Sequence, residues 1–126
     1  MGLFKKLFAT DPEALRKKAD ALFDNGSFGP AKLAYEKALE SAPEEERGPL
    51  EAKVAACLDG IARQRIEEAR AYLQQGMKEL AETELAGALE VATDPALVEE
   101  AQALADGLEA EDAQAQATTE ALSDEE

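Results

Sequence analysis

The chain has 126 residues, 13 Lys and Arg against 28 Asp and Glu, one Cys and no His or Trp. A single domain with a modest core suits that length, and the net charge of −15 repels phosphate backbones, which argues against nucleic acid as the main partner. Without His the chain lacks the commonest general base and metal ligand at neutral pH, and one Cys excludes an intrachain disulfide or a multi-thiolate zinc site, so no enzyme chemistry, metal or cofactor is expected.

The N-terminal segment, residues 1–10, carries Leu3, Phe4, Leu7 and Phe8 on one helical face with Lys5 and Lys6 opposite. Such a segment can lie weakly on an anionic membrane, cap an exposed apolar edge of the first helices, or dock on a partner. Lys6 stands where a myristoylation signal has Ser or Thr. No apolar run approaches a membrane span, and no signal-peptide apolar region is evident, so the expected location is cytoplasmic, with peripheral contact at the inner membrane face as a variant.

From residue 11 to 109 the pattern predicts an all-α domain of five to six antiparallel helices with short turns. Asp11-Pro12 is an N-cap followed by Pro at the first helical position, and Asn25-Gly26 is a stop. Leu15, Ala19, Leu22 and Phe23 recur between them at helical spacing. A second helix opens near Phe28-Gly29-Pro30, repeats Ala31, Ala34, Tyr35, Ala38, Leu39 and Ala42, and stops at Pro43. Residues 43–48 read as an acidic loop, and Pro49 opens a third helix with Leu50, Val54, Cys57, Leu58 and Ile61 as its stripe. Gly60 either ends that helix or is tolerated inside one running to about Gln75, and the missing Pro, Asn or Ser beside it favours continuity.

Gln75-Gly76 is the next turn, before a helix over 78–92 with Leu80, Ala81, Leu85, Ala88, Leu89 and Ala92 on one face. Asp94-Pro95 repeats the opening signal of Asp11-Pro12, and Leu97, Ala101, Leu104, Ala105 and Leu108 follow. Residues 79–126 hold 15 acids and no Lys or Arg, whereas residues 1–78 are neutral with 13 of each sign. From 110 onward only Leu122 is large and apolar, which predicts a disordered acidic tail over 110–126. That tail is a solubilising tether, or alternatively a strand of charge folding back on Arg16, Lys17 and Lys18.

Gly26, Ala31, Tyr35 and Ala38 are matched fifty residues later by Gly76, Ala81, Leu85 and Ala88. In residues 12–43, small Ala19 precedes the turn at Gly26, Phe28 follows it, Ala31 and Ala38 bracket Tyr35, and Pro43 terminates. This pattern resembles the tetratricopeptide (TPR) family, whose 34-residue unit is a helix–turn–helix. Over 62–95, Ala69, Tyr72, Gly76, Ala81, Leu85 and Ala88 fit; Arg65 and Glu68 stand where large apolar residues are usual, and Thr93 replaces the proline. The fifty-residue offset exceeds the family period by about one helix. Helix 49–59 is therefore an inserted packing helix or the start of a degenerate repeat, with helices beginning near 12, 46 and 80.

The resemblance implies a right-handed solenoid of hairpins, and a non-enzymatic adaptor or scaffold that holds a partner peptide or helix in its concave groove. The groove-facing residues it implies are Arg16, Asp20 and Phe23 in the first hairpin and Arg63, Ile66, Arg70 and Leu73 in the second. Arg beside apolar surface suits a carboxylate on an apolar peptide; the bland alternative is a solvated face. Asp20 stands where carboxylate-clamping members have Asn, so that activity is not implied. A protein partner is expected and self-association is admitted. The alternative reading is a peripheral membrane scaffold anchored by residues 3–8. Cys57, on an apolar stripe without His, reads as an inert buried thiol.

Overall fold

The computed structural model describes residues 11–124, with side chains described through residue 117. Five α-helices and no strand occur among the described residues: α1 (Pro12–Asp24), α2 (Phe28–Ser41), α3 (Glu44–Gln74), α4 (Lys78–Val91) and α5 (Pro95–Asp124). The chain is all-α. It divides into two compact units with a boundary between Ile61 and Ala62, inside α3. The first part of α3 packs with α1 and α2, the second part with α4 and α5.

The helix boundaries follow local chemistry. Asp11 accepts a hydrogen bond from the Glu13 amide at 3.1 Å, and Asp94 accepts one from the Ala96 amide at 3.0 Å, so both Asp-Pro pairs work as caps. At the two glycine turns the backbone repeats itself. Ser27 N–H donates to the Leu22 carbonyl at 2.9 Å and Gly26 N–H to Phe23 at 3.0 Å. Fifty residues on, Met77 N–H donates to Tyr72 at 2.8 Å and Gly76 N–H to Leu73 at 3.1 Å. Each is a Schellman closure, and it needs the left-handed backbone that Gly26 (φ 79°) and Gly76 (φ 76°) supply.

Two expectations are corrected. Residues 44–48 are helical rather than a loop, and Pro49 lies inside α3. Glu44, Glu45 and Glu46 occupy its first turn, where carboxylates favour the positive helix end. A proline one turn further in forfeits only a bond at the frayed start. Helix α5 continues past 110 to Asp124 instead of giving way to a disordered tail. Ala, Glu and Gln are good helix formers, and the extension is tied at its root: Lys78 Nζ sits 2.9 Å from Asp112 Oδ1 and 3.5 Å from Glu111 Oε2. Gly60 is an internal residue of α3, as the favoured reading had it.

Both cores are built on small residues flanking one large one. In the first unit Ala19, Ala31, Tyr35, Ala38, Leu50 and Cys57 are buried; in the second, Ala69, Ala81, Leu85, Ala88, Ala101 and Leu108 take the corresponding places. The correspondence runs at fifty residues through α1–α2 and at fifty-one where the first part of α3 is matched by α5. Alanines let the helix axes approach, and Tyr35 or Leu85 fills the gap left by the crossing. Tyr35 keeps its hydroxyl satisfied by donating to Asp20 Oδ1, whereas Leu85 has no polar atom to place.

Candidate functional site

Superposing the register of the two units shows where each is left open. In the first unit, Arg16 on α1 and Glu46 on α3 face a cleft of about 420 Å³ whose floor is Pro12, Pro49 and Leu50. Glu46, Pro49, Leu50 and Lys53 are spaced at i, i+3, i+4 and i+7, so α3 presents them on one stripe. In the second unit the corresponding positions are Ile66 and Leu97, which are 2% and 6% exposed and belong to the core. Apolar side chains close there what charged ones leave open in the first unit.

The first cleft carries both signs. Arg16 and Lys53 supply cations, Glu13, Asp20, Glu45 and Glu46 carboxylates. Asp20 is half-buried and already holds the Tyr35 hydroxyl. Burial first, and then the Asp20 carboxylate beside it, push the Tyr35 phenol well above its ordinary value of 10.0. Tyr35 therefore stays neutral and acts as a strut between α1 and α2. Lys53 Nζ stands 5.5 Å from the centre of the Phe23 ring, a cation–π contact that leaves the ammonium at the cleft.

The residues singled out by sequence divide as follows. Arg16 and Asp20 line the cleft together. Phe23 instead packs edge-to-face on Phe28, with ring centres 5.1 Å apart, under Lys53. Arg63 is exposed. Arg70 pairs with Glu100 at 2.6 Å across α3 and α5. Leu73 is half-buried against the second core. Ile66 is corrected from a groove residue to a core residue: its face of α3 is covered within the second unit. The N-terminal residues Leu3, Phe4, Lys5, Lys6, Leu7 and Phe8 lie outside the described residues. Arg65 lays its side chain across Gly87 and pairs with Glu84 at 3.4 Å.

Sequence reasoning missed Lys53, Glu45, Glu46 and Pro49 as cleft residues. Their helical spacing was a usable signal, hidden by reading 43–48 as a loop. Cys57 is fully buried, and burial pushes its thiol up, away from the reactive thiolate. Among the described residues no group of three His, Cys, Asp or Glu is placed to hold a metal ion, and no helix is long and apolar enough to cross a membrane. Family models, curated proteins and solved structures were compared with the chain, and none matches.

Proposed function

We propose that the chain is a TPR-like adaptor that holds a partner peptide in the cleft between α1 and the first part of α3. The observation that carries this reading is the open, mixed-charge cleft at Arg16, Glu46 and Lys53, at the register position where the second unit seals itself with Ile66 and Leu97. A seal that one unit makes and the other omits marks a surface kept for something else. Small-residue hairpins with Schellman turns fit the family resemblance and its solenoid of stacked helices.

The partner this cleft suits is a peptide of mixed charge, with a carboxylate for Arg16 and Lys53, a cation for the more numerous Glu13, Asp20, Glu45 and Glu46, and apolar side chains between. Arg16 and Lys53 attract the carboxylate, and Pro12, Pro49 and Leu50 offer it an apolar floor. The proposed role is binding, since what the cleft offers is charge of both signs over apolar side chains. The test is selection of peptides from a displayed random library on the purified chain. Enrichment of acidic residues flanked by apolar ones, lost on Arg16→Glu with Lys53→Glu, is the expected result. No enrichment, or enrichment that survives the charge reversal, overturns the reading.

A further inference from the structure

Gly60 in α3 and Gly87 in α4 are helix-interior glycines, each with a side chain of its own unit laid over it. The Phe28 ring covers Gly60, so closely that a Cβ built there would stand 2.7 Å from its carbon atoms. The Arg65 side chain covers Gly87, with a guanidinium nitrogen 2.9 Å from where the Cβ would be. Gly107, inside α5, is bare: nothing lies within 4 Å of that point. It lines a cleft of about 350 Å³ in the second unit. Buried Leu108 and half-buried Leu73 and Leu104 form the floor, and exposed Ala103 and Gly107, four residues apart on α5, form a low rim. Met77 and Leu80, 45% and 48% exposed, continue the apolar surface beyond Gly76 and Lys78.

We infer that this cleft takes a basic amphipathic helix of a partner protein, with its apolar side chains on Leu73, Leu104 and Leu108 and its cations turned to the acidic surround. Ala103 and Gly107 set the shape of the occupant. Small residues one turn apart let a second helix approach α5 closely, as the alanines do inside each unit's own core. Charge sets its sign. Residues 79–126 hold 15 acids and no Lys or Arg. The cations on the adjoining turns are already committed, Lys78 to Glu111 and Asp112, and Arg70 to Glu100. Glu79, Glu99, Asp106 and Glu109 stand exposed on α4 and α5 and add to the same field. Such a field attracts a cationic helix and repels an acidic one. A second copy of this chain suits the cleft poorly for the same reason, since it brings a net charge of −15.

This cleft shares no residue with the one at Arg16, so either reading can fail alone. The probe is an amidated synthetic helix with leucine along one face and lysine elsewhere, beside the same helix with glutamate in place of every lysine. Each is titrated into the full chain carrying methyl-labelled leucines, where Leu50 reports separately on the Arg16 cleft. The lysine helix should shift the Leu73, Leu104 and Leu108 methyls, and the glutamate helix should leave them unmoved. Gly107→Leu fills the open space over α5 and should weaken binding about tenfold, while melting no lower than the parent because its Cβ meets nothing. Glu99→Lys with Asp106→Lys leaves the apolar floor intact and should also weaken binding, by a margin that shrinks with added salt. Unmoved Leu104 and Leu108 methyls, with or without shifts at Leu50, overturn the inference. So does an affinity untouched by Gly107→Leu, or equal binding of the glutamate helix. A concentration-dependent dimer that shifts the cleft methyls without peptide overturns it too, by giving the cleft to a second copy.

Discussion

The ring of Phe28 rests on Gly60, and that contact explains a glycine in the middle of a 31-residue helix. A helix-interior Gly costs about 1 kcal/mol relative to Ala, yet here the absent Cβ is the space the ring occupies. Gly60→Ala is therefore expected to destabilise the protein by about 1–3 kcal/mol through overpacking, measured by urea unfolding. In a Phe28→Ala background the same substitution should stabilise instead. Equal effects in both backgrounds would mean that the ring does not set the requirement.

Gly107 makes the opposite case. Nothing lies within 4 Å of where its Cβ would be, and it sits inside α5. Gly107→Ala should raise stability by about 0.5–1 kcal/mol through helix propensity alone. Thermal unfolding of the two alanine variants side by side separates packing from propensity, because only the Gly60 variant should melt earlier than the parent.

Tyr35 gives the protein an alkaline limit. Its folded pKa lies above the unfolded value of 10.0, with burial as the leading cause and Asp20 next. A group whose pKa is raised on folding contributes stability that is fully present below the unfolded value and lost as pH rises beyond it. Denaturation midpoints should therefore be insensitive to Tyr35 ionisation at neutral pH and fall above about pH 10. Tyr35→Phe should cost about 1 kcal/mol at pH 7 from the lost hydrogen bond to Asp20 and should flatten the alkaline decline. A variant that declines as steeply as the parent would place the titrating group elsewhere.

Much of this architecture is legible in the sequence, where signals are local. Asp11-Pro12, Asp94-Pro95, Gly26 and Gly76 each fix a boundary by chemistry confined to a few residues, and the alanine spacing around Tyr35 and Leu85 finds both cores. What is illegible depends on distant partners. Arg16 and Ile66 occupy matching register positions, but only the fold shows that one stays open beside Glu46 while the other is covered in a core containing Leu97. The sequence over 110–126 reads as a disordered acidic tail, because local composition does not separate a solvated coil from a solvated helix. The ion pairs of Lys78 with Glu111 and Asp112, more than thirty residues away, secure the root of its helix.

Helix α5 carries a further expectation. Lys78→Ala removes two solvent-screened ion pairs, so global stability should barely move. Amide exchange over 110–117 should nevertheless quicken, since local opening of a helix end responds to the loss of a tie near its root. Unchanged protection there would show that the Lys78 ion pairs do not hold the extension.

We propose above that the Arg16–Glu46 cleft is left open for a peptide. Transplanting the second unit's seal tests it: Arg16→Ile with Glu46→Leu should close the cleft. Titration calorimetry of a library-selected peptide against this double variant is the measurement. A loss of affinity of tenfold or more, about 1.4 kcal/mol, is expected, with a melting temperature equal to or above the parent's. Undiminished affinity in a variant that folds as well as the parent would contradict it.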